Sequence, residues 1–123
     1  MSSPPIVLVV EDEEMIRMMA ADMLDALGAG VIEAATAAEA LDAARSTDRF
    51  DAAMIDLSLP DGLGDQLTLN LRALRPSLPV IIATGHDEGM ISAEVRGLDR
   101  LVLLPKPYEL AELDAALNRA LAL

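Results

Sequence analysis

At 123 residues, 53% of them hydrophobic, the chain has the size of one domain and enough apolar side chains to bury a core without staples, with no room for a second domain. The absence of cysteine excludes a disulfide framework and thiolate metal sites, and it suits a reducing cytoplasm. A formal charge of -12, with only nine Lys and Arg, argues against a nucleic-acid partner; no stretch of 18 apolar residues and no signal-type leader points to a membrane, so a soluble, cytoplasmic protein is expected.

The first expected element is a strand at residues 6–10, IVLVV, which runs directly into four acids, EDEE at 11–14. Unit charges about 4 Å apart cost on the order of 4 kcal/mol at a surface-like effective dielectric, so such a knot of carboxylates demands a positive offset. Ile16, Ala20, Met23, Leu24 and Leu27 then recur at helical spacing and stop at Gly28, predicting a helix over 13–27. A second strand, VIEA at 31–34, precedes Thr36 and Glu39, whose spacing is that of a capping box opening a second helix. The third strand is AAMI at 52–55, and Leu67, Leu71 and Leu74 mark a third helix that ends before Pro76. VIIA at 80–83 is the fourth strand; the helix expected at about 88–96 is short, with Gly89 near its start and Gly97 behind it. LVLL at 101–104 is the fifth strand, and a last helix at 109–121 places Leu110, Leu113, Leu117 and Leu121 on one face.

Strands that read as continuously apolar are buried on both faces, and their strict alternation with helices implies right-handed crossovers. The expected fold is therefore α/β: a doubly wound, five-stranded parallel sheet with helices on both sides, following a tail at residues 1–5 and filling 6–123. In such sheets the ligand site lies beyond the carboxyl ends of the strands, where strand order reverses. The residues just past those ends are Glu11 and Asp12, Asp56, Thr84 and Lys106, the last being the only lysine in the chain.

Singly, each has an ordinary structural explanation: a first-turn acid, a turn aspartate, a β-branched strand residue, a solvated lysine. Converging, they have a chemistry. Three acids in one pocket suit a hard divalent cation, Mg²⁺ or Mn²⁺ in its place, which takes oxygen ligands and supplies the missing positive offset. A phosphoryl group arriving there meets the metal, Lys106, the Thr84 hydroxyl and backbone N–H groups at Leu57, Ser58 and Gly85, with Asp56 as the nucleophile that forms an acyl phosphate.

With these residues in place, the chain resembles the receiver domain of two-component response regulators over essentially its whole length. In IDLSLPDGLG, Pro60 and Gly64 stand at the family's offsets of four and eight from Asp56. The resemblance implies a flavodoxin-like strand order, 2-1-3-4-5, with Asp56 as phosphoacceptor. It further implies Asp12 as a direct Mg²⁺ ligand, Glu11 as a water-mediated one, the Ser58 carbonyl as a third protein contact, Thr84 and Lys106 as phosphate contacts, and a cis Lys106–Pro107 bond. Two departures bear on switching: Leu103 stands where receivers commonly carry Tyr or Phe, and Tyr108 occupies a different family position. With ATG at 83–85 this is similar to the receiver subfamily nicknamed FATGUY. His86, two residues beyond Thr84, borders the phosphate in receivers and is expected to tune its lifetime.

The expected function is that of a signalling module, not an enzyme in its own right: a phosphoryl group passes from a histidine kinase or histidine phosphotransfer protein onto Asp56, and the domain changes shape, shuttles phosphate or drains it. By the family's habit the first helix meets such partners, with Met15 and Met18 as contacts and a downstream protein as a further partner. A chain that starts at Met1 and carries no output domain after Leu123 is expected to be a stand-alone receiver, monomeric or weakly dimeric. Two other classes fit less well. A haloacid-dehalogenase-like phosphohydrolase wants an Asp two residues after its nucleophile, where this chain has Ser58. A flavodoxin-type flavin carrier wants a hydroxyl- and glycine-rich loop after the first strand, where EDEE would repel phosphate.

Overall fold

Side chains of the strands alternate between two cores, which is what makes each strand apolar throughout. In the computed structural model, which describes residues 4–46 and 49–122, Leu8 and Val10 enter one core while Val7 and Val9 enter the other. Ile55 and Ile82 share the first core, and Met54 and Ile81 the second. Five strands, β1 (Ile6–Val10), β2 (Gly30–Ala34), β3 (Ala52–Asp56), β4 (Val80–Thr84) and β5 (Leu101–Pro105), form a parallel sheet in the order β2-β1-β3-β4-β5. The expected topology is therefore observed. The first three residues of the expected tail and Leu123 lie outside the described residues.

Helices α1 (Glu14–Ala26) and α5 (Leu110–Ala122) cover one face through Ala20, Leu24, Leu113 and Leu117. The other face carries α2 (Ala37–Ser46), α3 (Gly64–Leu74) and α4 (Ala93–Arg96) through Ala40, Ala44, Leu67, Leu71 and Val95. Each fully buried large side chain is worth roughly 1.5–3 kcal/mol, so these two layers supply most of what holds the helices to the sheet. Gly28, at φ 85°, ends α1 in a left-handed conformation that suits glycine.

Several local expectations shift. The helix anticipated at 88–96 is broken into a single 3₁₀ turn, Glu88–Met90, and the four-residue α4, because Ser92 caps the second piece by accepting from the Val95 N–H at 3.3 Å. On α5 the buried stripe is Leu113, Ala116, Leu117 and Ala120, while Leu110 and Leu121 stand at the exposed ends; Leu74 of α3 is exposed as well. The capping box at α2 forms in altered shape: Thr36 Oγ1 accepts the Glu39 N–H at 3.1 Å, but Glu39 reaches the N–H of Ala35. Asp61, from the loop after β3, accepts the N–H groups of Ala37 and Ala38 at 2.9 and 3.1 Å, and those bonds pull its carboxyl below the usual range.

Arg72 of α3 is the buried cation the apolar pattern does not announce. Its guanidinium donates to the carbonyls of Leu78, Asp99 and Arg100 and pairs with Asp99 at 3.3 Å, tying α3 to the turn that enters β5.

Candidate functional site

The strand order reverses between β1 and β3, so the crevice beyond their carboxyl ends is the place the topology reserves for a ligand. Glu11 follows β1 and Asp56 closes β3, each only 6% exposed, while Asp12 beside them is exposed. One carboxylate oxygen from each of the three lies within 4.8 Å of the others. Burial, with the charge of Asp56 and a hydrogen bond with Asp12, pushes Glu11 up to about 7 against the pull of the Glu13 N–H bonded to it. Arg17 of α1 donates to the Glu11 carbonyl at 2.9 Å and to Glu33 at 3.1 Å, fixing the acidic turn to β2; the helical pattern of α1 conceals this role.

Lys106 enters from the end of β5. Its Nζ donates to Asp56 Oδ1 at 2.6 Å, and its backbone N–H donates to the Thr84 carbonyl at 2.6 Å, so the lysine and the buried threonine are carried on one backbone link. Burial alone would lower the Lys106 ammonium, but the bond to Asp56 and the charges of Asp56, Glu11 and Asp87 leave it above its usual value. The Lys106–Pro107 peptide bond is cis. A single ammonium against three clustered carboxylates leaves an excess of negative charge and of oxygen donors, which is the donor set of a hard divalent cation.

Two of the backbone donors expected to meet a phosphoryl group are already engaged in the state observed. The Leu57 N–H is spent on the sheet, donating to the Ala83 carbonyl at 3.2 Å, since β3 pairs with β4 right up to Asp56. The Gly85 N–H donates to Asp87 Oδ1 at 2.8 Å, and the other oxygen of that carboxylate takes the Ser58 hydroxyl at 2.6 Å. Ser58 itself begins a two-by-two antiparallel hairpin, Ser58–Leu59 with Gly62–Leu63, that leads the chain from Asp56 into α3.

Of the three residues singled out for tuning, His86 and Tyr108 share one groove and Leu103 lies apart. His86 is exposed and, with Lys106, Pro107 and Tyr108, lines a groove of about 570 Å³ whose other wall is Ile16, Met19, Ala20 and Met23 of α1. Tyr108 packs on the α1 and α5 side, where burial and the charges of Glu11 and Asp56 push its phenol up to about 12. Leu103 lies on the opposite face, against the core that contains Ile91 and Val95, so the two positions cannot exchange roles. Met15, Met18 and Met19 project from α1 at 77%, 52% and 57% exposure, a larger apolar display than a helix needs for packing.

Comparison with known proteins bears on this arrangement. The family model described as response regulator receiver domain matches residues 7–118. The chain is 38% identical over 117 residues to the KDP operon transcriptional regulatory protein KdpE of Escherichia coli (strain K12), covering 94% of this chain and 50% of that protein. It is 30% identical over 122 residues to the sensor kinase CckA of Brucella abortus (strain 2308), covering 98% of this chain and 13% of the kinase. The chain thus spans half or less of these relatives. The solved structure of a response regulator receiver domain from Methylobacillus flagellatus superposes with a TM-score of 0.84 at 30% identity, covering 96% of this chain and 99% of that one. Among the described residues no helix is long and apolar enough to cross a membrane.

Proposed function

The chain belongs to the response regulator receiver domain family, and we propose that it accepts a phosphoryl group on Asp56 from a histidine kinase or phosphotransfer protein and signals through the conformational change that follows. The observation that carries this reading is the 2.6 Å contact of Lys106 Nζ with the buried Asp56, whose carboxylate also belongs to a cluster of three acids suited to one divalent cation. A carboxylate oxygen of Asp56 attacks phosphorus, the P–N bond to the donor imidazole breaks, and the imidazole leaves with the electron pair. Lys106 stays within reach of both the acceptor oxygen and an incoming phosphoryl oxygen. The Thr84 hydroxyl, at the adjacent strand end, supplies a further donor.

Glu11, Asp12 and Asp56, with the Ser58 carbonyl, are the groups that would hold Mg²⁺, which when bound offsets the charge of both carboxylates and phosphoryl oxygens. The test uses the wild-type chain with acetyl phosphate. In Mg²⁺ but not in EDTA, intact mass is expected to show one added phosphoryl group, and base is expected to remove it. Uptake that ignores chelation, or survives base, would overturn the assignment.

Leu103, lacking an aromatic ring, does not provide the usual rotameric switch, so the response is expected in the loops after β3 and β4 and in α4. That region is built from a 3₁₀ turn and four helical residues, anchored by Ile91, Val95 and the Ser92 N–H bonded to Asp65 at 3.1 Å. Such thinly held segments open at low free-energy cost. NMR relaxation dispersion is expected to show microsecond-to-millisecond exchange over residues 85–97 that diminishes once Mg²⁺ and a phosphate mimic bind. Equal rigidity in both states, with change confined to Leu103, would place the switch elsewhere.

A further inference from the structure

Asp87 is an acid in a place that the phosphoacceptor reading leaves unexplained. Its carboxylate bridges two loops: Oδ1 takes the Gly85 N–H at 2.8 Å and Oδ2 takes the Ser58 hydroxyl at 2.6 Å, 29 residues away in sequence. Ser58 stands two residues after Asp56 and Gly85 one after Thr84, so the bridge joins the loop that follows the nucleophile to the loop that follows the hydroxyl. Asp87 also contributes to the field on Lys106, together with Asp56 and Glu11. An anion with donors from both loops and a cation nearby has the recognition pattern of a phosphoryl oxygen.

We propose that Asp87 is a resident competitor for the phosphoryl group: its carboxylate occupies the Gly85 N–H that a phosphoryl on Asp56 needs and is held there by the Ser58 hydroxyl, so phosphorylation has to expel it and thereby cuts the tie between the β3–α3 loop and the β4–α4 loop. This rests on the phosphoacceptor reading. Two consequences follow from the geometry. The unmodified state is held by a link that the modified state cannot keep, because the Gly85 N–H points to one anion at a time. The expelled side chain also belongs to the residue that immediately precedes the 3₁₀ turn Glu88–Met90, so its departure acts directly on the segment leading into α4. Asp87 is thus a positioning residue, acting on the reaction through the donors it withholds.

The experiment compares phosphoryl uptake from acetyl phosphate in Mg²⁺ by the wild-type chain, Asp87→Ala, Asp87→Asn and Ser58→Ala. Hydrogen bonds to a charged group carry enough free energy that losing the competitor should raise the uptake rate by about tenfold in Asp87→Ala. Ser58→Ala, which removes one arm, should rise less. Asp87→Asn retains an acceptor for Gly85 and a partner for Ser58 without the charge, and should fall between wild type and Asp87→Ala. The Gly85 amide resonance should shift in Asp87→Ala without any phosphate, a change that general loss of stability does not produce at one site. An uptake rate in Asp87→Ala within twofold of wild type, or an unmoved Gly85 amide, overturns the competitor role while wild-type uptake still upholds the acceptor. Uptake by none of the four chains overturns the acceptor reading, and the competitor with it.

Discussion

Asp56→Asn is expected to abolish phosphoryl uptake from acetyl phosphate while leaving the fold in place. The amide keeps the shape of the side chain and one oxygen toward Lys106 Nζ, now 2.6 Å from the carboxylate, but it has no anionic oxygen with which to attack phosphorus. Neither neighbouring acid can take over. Glu11 is held by the Glu13 N–H and, even with the charge of Asp56 gone, is drawn toward protonation by burial, and Asp12 is exposed. Stability should change by no more than about 1 kcal/mol, because two effects oppose: the amide removes the repulsion between Asp56 and Glu11, and it weakens an ion pair whose lysine side chain is 30% exposed and can turn to water. Intact mass on the variant beside wild type, with urea unfolding of both, checks the two halves together. A phosphorylated Asp56→Asn chain would show that the acceptor lies elsewhere, and a variant unfolded without urea would show that the carboxylate is structural.

What could be read in the sequence is what periodicity and strand ends encode. Each apolar run became a strand, and Glu11, Asp12, Asp56, Thr84 and Lys106 meet because a parallel sheet delivers all its carboxyl ends to one edge. Contacts between polar side chains and a distant backbone leave no such trace. Arg72 on three carbonyls, Asp61 on the first turn of α2, Arg17 on the Glu11 carbonyl and Asp87 across the crevice all depend on which loops the fold brings together. Helix pattern failed where it was thinnest. Ser92, the cap that splits the region at 88–96, is an ordinary serine until Val95 is seen to need its hydroxyl. The pairing of the backbone donors is hidden for a related reason: spacing identifies the Leu57 and Gly85 amides as close to the phosphoryl position, but only the fold shows them bonded to Ala83 and Asp87 in the unmodified state.

Gly64 carries the second large effect, and it explains why a glycine stands eight residues after Asp56. A Cβ placed there would lie 2.5 Å from the Asp56 carbonyl oxygen, 2.9 Å from Leu57 Cα and 2.9 Å from Ile55 Cγ2. Two of those three atoms are backbone, so no rotamer change relieves the overlap. The Gly64 N–H also donates to the Leu57 carbonyl at 2.6 Å, and Leu67 and Leu71 hold α3 in the core shared with Ile55, so α3 cannot simply back away. Gly64→Ala is therefore expected to cost about 3 kcal/mol or more, at the upper end of what overpacking costs, and to slow phosphoryl uptake by displacing the backbone on either side of the nucleophile. Gly89→Ala is the matched control, since nothing lies within 4 Å of its Cβ position; it should stay within about 0.5 kcal/mol of wild type. Urea midpoints for the two variants at unchanged slope, read beside their uptake rates, check the argument. Equal stability of Gly64→Ala and Gly89→Ala would mean that α3 is free to move off β3, and that Asp56 is not held in position by the close approach of α3.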